Sequence, residues 1–163
     1  MKEWTKSIRK LHACAEALEW AEDFVSLDTA WRNCTRGDWM LWLLGKLAGT
    51  PSSEAHKKLV LTACECARLA LKYVKEGEER PLKAIEAAEA WAHGENGVSL
   101  QDVRNAAYAA ADAADAAYAA YAAYAAYAAY AAAAAAYAAA RKATLEQCAN
   151  IIRQYYPRAP ELK

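Results

Sequence analysis

Residues 106–140 read AAYAAADAADAAYAAYAAYAAYAAYAAAAAAYAAA, a run in which only Asp112 and Asp115 carry charge. Alanine has the highest helix propensity of all residues, and no Gly or Pro interrupts residues 98–156. The stretch therefore predicts one long C-terminal helix. About 55 helical residues would be about 80 Å long, whereas a compact domain of this size has a radius of gyration of about 15 Å. We expect the helix to protrude, to kink, or to be shared with a partner chain.

Tyrosines recur at every third position within this run. A three-residue step advances about 300° around an α-helix, so each Tyr lies about 60° behind the one before it. The five tyrosines therefore form a spiral that no single flat partner can cover. Tyr is enriched at binding surfaces, and we predict that the exposed part of the spiral binds a partner. The alternatives are a packing rod between helices and a tolerated repeat without any role. The five positions are Tyr118, Tyr121, Tyr124, Tyr127 and Tyr130.

The overall composition excludes several classes of protein. Lys plus Arg and Asp plus Glu each number 20, so the net charge is zero, which argues against a nucleic-acid binder that neutralises phosphates. Residues 116–140 are uncharged but contain no Leu, Ile, Val or Phe, the residues that drive membrane insertion. Six Gly and four Pro in 163 residues leave little material for hairpin turns and favour an all-helical protein.

Apolar residues at three- and four-residue spacing predict further helices before the alanine run. The first covers residues 5 to about 24. Another begins after a cap at Ser52 or Ser53 and runs to about Glu76, and a third begins near Pro81 and ends at Gly94.

One short stretch predicts the centre of the core. Trp39 to Leu44 is apolar on every side and too short to span a bilayer, which needs about 20 residues. We expect a helix from roughly Asp38 to Ala48 that is buried on all faces.

These patterns predict an all-α protein. We expect a single helical bundle of five to six helices in one domain, since 163 residues suit one domain. Residues 1–97 would form a Trp-rich helical core, residues 98–156 the long Ala/Tyr helix, and residues 157–163 a tail.

The sequence contains no familiar catalytic or metal-binding motif. The chain contains no HExxH, GxSxG, P-loop or GxGxxG sequence. Cys64 and Cys66 are two residues apart on a predicted helix, where they do not face each other, so a shared metal is not expected. We predict no catalytic residue, no cofactor, no metal and no enzymatic activity. Five cysteines, an odd number, and the lack of a signal peptide indicate reduced thiols in the cytoplasm.

Tryptophans outside the alanine run offer a second candidate site. Trp39 and Trp42 share one side of their predicted helix. An aromatic core explains them, but a Trp-lined groove with charged residues at its rim would accept a partner's side chain or a small ligand. The residues of this predicted groove are Arg36, Asp38, Trp39, Trp42, Arg80 and Trp91.

Residues 79–95 read ERPLKAIEAAEAWAHGE and follow CARLAL at 66–71. With the Ala-rich C-terminus behind them, these segments resemble a bacterial and phage putative immunity protein family of polymorphic toxin systems. The resemblance implies an all-helical cytoplasmic protein that binds and neutralises a toxin without catalytic residues. The family often intersperses His, Arg and Gly among its C-terminal alanines, whereas Tyr takes nearly all the large positions in this chain.

The leading hypothesis is therefore an immunity or inhibitor protein that covers the active site of a protein partner, either a toxin or a host effector. Two alternatives stay open. One is a structural or self-assembling protein that forms a homo-oligomer through its Ala/Tyr helix. The other is a helical protein that sequesters a small ligand in the Trp-lined groove. We expect no nucleic acid and no membrane as partners.

Overall fold

The computed structural model describes residues 2–50, 53–95, 97–110 and 127–162, with side chains described in all of these except 127–139. Within these ranges the chain contains eight α-helical segments and one 3-10 helix, and no strand. The predicted all-α class is confirmed. The predicted number of helices, five to six, is wrong, because segments that were read as single helices are divided.

The helices are α1 (Glu3–Lys10), α2 (Ala15–Ala21), α3 (Leu27–Asn33), α4 (Gly37–Leu47), α5 (Glu54–Arg68), α6 (Arg80–His93), α7 over residues 100–110, and α8 (Tyr127–Tyr155), with a 3-10 helix at Leu71–Tyr73. Packing divides the chain into two compact units. Unit 1 comprises Met1–Thr62 with Leu145–Lys163, and unit 2 comprises Ala63–Thr144. The division of one domain into 1–97, 98–156 and 157–163 stays a prediction.

The predicted first helix is two helices. α1 ends at Lys10, α2 begins at Ala15, and His12 between them has a φ of 68°. A left-handed residue terminates a helix, but few non-glycine residues adopt this conformation and no sequence pattern marks it here. Ile8 and Ala21 are both buried and line one cavity. The apolar spacing therefore runs on across the break and hides it.

The predicted central helix lies where it was expected, but it is not buried on all faces. α4 covers Gly37–Leu47, within one residue of the prediction at each end. Met40, Leu43 and Leu44 are buried, whereas Trp39 and Trp42 are only half-buried. Indole rings are large and amphipathic and rarely reach full burial. A run of apolar residues that contains two tryptophans therefore predicts more burial of the helix than the structure shows.

α4 packs against residues 145–155 of α8 in unit 1. Ala149 and Ile152 are fully buried, with a relative exposure of 0%. Gly37 begins α4 directly beside this helix, since a Cβ at Gly37 would lie 2.5 Å from Cys148 Cβ. A glycine is required here because the two helices approach too closely for a side chain.

Two side chains join α3 to the C-terminal end of α8. Arg153 donates to the backbone oxygens of Trp31 at 3.2 Å and Cys34 at 2.7 Å. The Trp31 indole in turn donates to the backbone oxygen of Tyr156 at 2.9 Å. These bonds satisfy carbonyls that the ends of helices leave unpaired.

In the middle of the chain, helices begin and end at the capping residues that the sequence predicts. Ser53 precedes α5, and its hydroxyl accepts a hydrogen bond from the backbone N–H of His56 at 3.2 Å. Gly94 ends α6 with a φ of 73°, as a C-terminal glycine does. The helix predicted to reach about Glu76 is shorter than expected, because α5 ends at Arg68 and the 3-10 helix follows it.

Unit 2 holds α6 against the end of α5. Arg68 forms two hydrogen bonds with the Glu89 carboxylate, at 3.0 and 2.6 Å. Cys64 is buried and its thiol donates a weak hydrogen bond to the backbone oxygen of Ile85 at 3.8 Å. The predicted continuity of the long Ala/Tyr helix across residues 111–126 lies outside the described residues. No helix of the described chain is long and apolar enough to cross a membrane.

Candidate functional site

The tyrosine spiral falls largely outside the described side chains. Tyr118, Tyr121 and Tyr124 lie outside the described residues. Tyr127 and Tyr130 belong to α8, of which only the backbone is described at these positions. The spiral as a contact surface therefore stays a prediction.

The structure brings four of the six predicted groove residues together. Arg36 precedes α4, and Asp38, Trp39 and Trp42 lie on its first two turns. The Arg36 guanidinium carbon lies 4.1 Å from the centre of the Trp39 ring, which is the geometry of a cation–π contact. Arg36 thus contacts Trp39 at the start of α4, and the role of these residues as a binding groove stays a prediction.

The other two predicted groove residues, Arg80 and Trp91, lie on α6 in unit 2. Arg80 donates to the Glu78 carboxylate at 2.8 and 2.5 Å. These hydrogen bonds lower the pKa of Glu78 to about 2. Arg80 thus forms an exposed ion pair with a residue two positions before it, and its assignment to the groove stays a prediction, as does that of Trp91.

Acidic residues hold Arg36 in place over the Trp39 ring. Arg36 donates to both carboxylate oxygens of Asp38, at 2.9 and 2.8 Å, and to Glu16 at 2.9 Å. Its hydrogen bonds to Asp38 raise the pKa of Arg36. Burial is the largest single influence on Asp38 and disfavours its ionised form, but the hydrogen bonds and charge of Arg36 together with backbone hydrogen bonds outweigh it, and the pKa of Asp38 lies below its ordinary value. Arg36 is therefore a fixed cation whose charge is more than balanced by two carboxylates.

Trp20 also belongs to this cluster, although its spacing to α4 did not indicate it. Its ring centre lies 5.7 Å from that of Trp39 and 4.5 Å from that of Phe24. Both distances fall in the range of favourable aromatic pairs. The contact joins α2 to α4, and nothing in local periodicity connects residues so far apart in the chain.

A cavity of about 60 Å³ lies beneath the aromatic cluster in unit 1. Its inner wall is buried and includes Trp31 and Met40, whereas Trp39 and Trp42 at its edge are half-buried. The cavity therefore leads from a buried floor to a partly exposed rim. Five tryptophans line it: Trp4, Trp20, Trp31, Trp39 and Trp42.

One residue that lines this cavity has a polar atom without a partner among the described residues. The indole nitrogen of Trp4 is buried and has no hydrogen-bond acceptor among the described residues. A buried donor without an acceptor costs about 1–3 kcal/mol, and such groups are rare in native proteins. Trp4 was not predicted as a site residue, because it lies alone on α1 and joins the cluster only through the tertiary fold.

A larger groove lies between α1 and α2 and shares Ala13 with the cavity. Its volume is about 560 Å³. The groove is lined by residues of both helices, among them Arg9, Glu19 and Glu22. Cavity and groove together form a surface of unit 1 in which an apolar cavity lies beside a groove lined by one cation and two carboxylates.

Four of the five thiols are buried, among them Cys34, which lines the cavity. All five cysteines are described and none forms a disulfide; Cys14 is exposed and the other four are buried. Burial raises the pKa of Cys64 to about 11, so very little thiolate is present at neutral pH. Within the described part of the chain, no three His, Cys, Asp or Glu side chains are placed to hold a metal ion.

Comparison with known families identifies one match. A family model described as "Imm-5 like putative immunity protein" matches residues 49–154, which is more than half of the chain. The match confirms the family that the sequence resembles. It covers α5 to α8 and begins after the Trp-lined cavity. No curated protein and no solved structure matches the chain.

Proposed function

This chain belongs to the Imm-5 like putative immunity protein family, and we propose that it binds a toxin protein and neutralises it by covering the toxin's active site. Such an inhibitor needs a complementary surface and no reaction of its own. The partner is a protein that harms the cell that makes this chain.

The family match carries this proposal, since it spans residues 49–154. The chemistry of the described side chains supports it. The buried Cys64 thiol is a poor nucleophile because its pKa is raised to about 11. The Arg36 and Asp38 pair is locked by two hydrogen bonds at 2.9 and 2.8 Å, which leaves neither group poised for proton transfer.

We propose that the exposed part of the tyrosine spiral contributes to toxin binding. Tyr side chains supply large contact areas at a low entropic cost, and the repeat from Tyr118 to Tyr130 is the densest set in the chain. Replacement of Tyr121, Tyr124 and Tyr127 by alanine should weaken binding at least tenfold. Unchanged affinity for the toxin would overturn this contact and leave the rest of the proposal intact.

We place the protein in the cytoplasm. Five cysteines, an odd number, suit a reducing compartment, in which disulfides are rare. Fusion to a fluorescent protein and fractionation of the host cells test this location. Recovery of the chain in a secreted fraction would contradict it.

The test of the function uses the toxin itself. The tagged chain is purified from the cells that carry it, and the co-purified protein is identified by mass spectrometry. That protein is then expressed alone and together with this chain. We expect growth arrest with the captured protein alone and normal growth with both. A captured protein that does not arrest growth, or arrest that this chain does not relieve, would refute the proposal.

Self-assembly is the second candidate, because alanine surfaces permit close approach of two helices and residues 106–140 are almost all Ala and Tyr. Native mass spectrometry of the purified chain distinguishes the two. A dimer at micromolar concentration that the Tyr121, Tyr124 and Tyr127 alanine variant abolishes would support self-assembly. A monomer at that concentration would exclude it.

Sequestration of a metabolite fits the cavity poorly. Pockets for metabolites usually enclose about 300–1,000 Å³, whereas the Trp-lined cavity encloses about 60 Å³. That volume holds the tip of a side chain, which agrees better with a protein partner.

A further inference from the structure

We propose that α1 is a lid on unit 1, which swings away from α2 as one piece about residues 11–14 and uncovers the tryptophans beneath it. The other helices of unit 1 keep their packing when the lid opens, and the closed lid is the state that the structure shows. The lid goes beyond the proposed function, since it operates in the chain alone, and it requires no occupant in the Trp-lined cavity.

α1 is too short to be stable without the contacts that it makes with the rest of unit 1. It has eight residues, and no side chain caps its N-terminus, whereas isolated helices shorter than about 12–15 residues are marginal in water. Thr5 and Ile8 are its buried residues, and Trp4 is half-buried. Detachment of α1 therefore exposes few groups that are now buried.

The packing of α1 is incomplete on two sides. Beneath it lies the cavity of about 60 Å³, to whose wall Trp4 and Ile8 contribute. Beside it lies the groove of about 560 Å³ between α1 and α2. Atoms that face a void lose their dispersion contacts on that side. α1 thus gains less from its closed position than a fully packed helix would.

The closed position also leaves a donor of α1 without an acceptor. The Trp4 indole nitrogen is buried and unpaired among the described residues, and the cost of a buried, unpaired donor disappears when water reaches it. Opening of the lid hydrates this N–H. By contrast, the Trp31 indole in the same cavity wall already donates to the backbone oxygen of Tyr156 at 2.9 Å.

Residues 11–14 provide the hinge on which the lid turns. They join α1 to α2 without helical structure, and His12 among them has a φ of 68°, a conformation that few non-glycine residues adopt. Hinges are short loop or element-terminal segments that absorb a change in φ and ψ. A change of His12 to extended backbone would reorient α1 and remove the strain of the left-handed conformation.

Polar contacts at the C-terminal end of α2 hold the lid shut. The Lys2 ammonium donates to the backbone oxygens of Glu22 and Phe24, the latter at 2.6 Å. The Thr5 hydroxyl donates to the Glu22 carboxylate at 2.5 Å. Helix ends leave such carbonyls without partners, so Lys2 satisfies them from the neighbouring helix. These contacts among residues 2, 5, 22 and 24 are the clasp.

The helices beneath the lid are fixed independently of it. Arg153 on α8 donates to the backbone oxygens of Trp31 and Cys34 at the end of α3. α4 packs on α8, where Ala149 and Ile152 are fully buried. Native proteins open locally in units of unequal stability, and α1 has the features of the least stable unit here.

An open lid changes what unit 1 presents to other proteins. The cavity wall that α1 covers includes Trp20, Trp31 and Trp39, and opening would turn it into an exposed aromatic surface. A protein that binds this surface would hold the lid open, and its apparent affinity would fall with the fraction of chains that are closed. The lid therefore regulates access to the tryptophans.

Maleimide labelling of the cysteines in the wild-type chain tests the lid. Cys34 is buried and lines the cavity beneath α1, and Cys148 is buried where α4 meets α8. Opening of the lid exposes Cys34, whereas Cys148 becomes accessible when unit 1 unfolds. Samples are quenched at intervals, and peptide mass spectrometry measures each cysteine separately. We expect Cys34 to be labelled at least tenfold faster than Cys148, and equal rates would overturn the lid.

A variant in the clasp identifies what holds the lid shut. Thr5→Val keeps the size of the side chain and removes its hydroxyl. It should speed the labelling of Cys34 about threefold to tenfold, the effect of one hydrogen bond on an equilibrium, and leave Cys148 unchanged. Ser7→Ala is the matched control, since the Ser7 hydroxyl donates to the backbone oxygen of Glu3 within α1 and both rates should stay at their wild-type values. Equal acceleration at both cysteines by Thr5→Val would show that unit 1 unfolds as a whole, and it would overturn the lid.

If Thr5→Val does not fold, Lys2→Met decides the question. It removes the ammonium group from the clasp and should also speed the labelling of Cys34 alone. Lys6→Met is its control, because Lys6 pairs with Glu3 on the same helix at 2.9 Å. Unchanged labelling of Cys34 in Lys2→Met would refute a lid held by the clasp. These experiments need no toxin, so a failed lid leaves the proposed function standing.

Discussion

Replacement of Gly37 by alanine inserts a methyl group where α4 meets α8. Its Cβ would lie 2.5 Å from Cys148 Cβ and 2.9 Å from both Ala149 N and Leu145 O, about 1 Å closer than the optimum of about 3.5–4.0 Å between carbon atoms. These atoms belong to the backbone or to a Cβ, so no rotamer change relieves the clash and one helix must move. Overpacking of this kind costs about 1–3 kcal/mol. We expect the upper part of that range, because Ala149 is fully buried at the contact.

Urea unfolding, followed by tryptophan fluorescence, measures this loss. With a slope of about 1–3 kcal/mol per molar urea, a loss of 2 kcal/mol lowers the midpoint by about 1 M. Gly45→Ala on the same helix is the matched control. Its Cβ would have its nearest contact with Leu59 Cδ2 at 4.0 Å, and the gain in helix propensity of about 0.8–1.0 kcal/mol should raise the midpoint. If both variants raise the midpoint, the close packing of α4 on α8 is refuted.

Three further predictions follow from single contacts. Arg153→Met removes hydrogen bonds to two backbone carbonyls and should lower the free energy of unfolding in urea by about 1–3 kcal/mol. The control is the exposed Gln154→Met, which should change the free energy of unfolding by less than about 0.5 kcal/mol. Equal losses in the two variants would contradict the prediction. The pKa of Asp38 is lowered from its ordinary value of 3.8, so its carboxylate stabilises the fold above that pH and ceases to do so as the pH falls through the folded-state pKa. Asp38→Asn should therefore melt at a lower temperature than wild type at pH 7, with a difference that shrinks below pH 4, and a constant difference would contradict this. With Ellman's reagent at pH 8, the exposed Cys14 should react at least tenfold faster than the buried Cys64, whose pKa is about 11, and equal rates in single-cysteine variants would contradict the burial.

Local chemistry explains what the sequence predicts correctly. α4 begins within one residue of its expected position, because the change from polar to apolar residues at Asp38 marks its start. α6 ends at Gly94 with a φ of 73°, because glycine is the residue that adopts this conformation at little cost. Helix propensity, caps and glycine positions act within a few residues, so the sequence alone is enough to predict where these helices begin and end.

The Trp-lined cavity depends on contacts that are distant in sequence. Its wall joins Trp4 on α1 to Trp39 on α4, and neither periodicity nor spacing relates the two. The sequence predicts tryptophans beside Arg36 and Asp38, since these lie on neighbouring turns. It does not predict the unpaired indole of Trp4, which results from how α1 packs onto the other helices.

The break at His12 was missed for a related reason. Periodicity reports which side of a helix is apolar, and Ile8 before the break and Ala21 after it both face the same cavity. A left-handed histidine costs free energy that only the tertiary fold recovers. The sequence therefore presents one amphipathic stretch where the structure has two helices.

The central claim is that this chain neutralises a toxin by binding it. The most direct measurement is the activity of the captured toxin in vitro as purified chain is added. The account predicts that activity falls in proportion to added chain and is abolished at one chain per toxin molecule. Toxin activity that persists undiminished at a tenfold molar excess of the chain would contradict the claim.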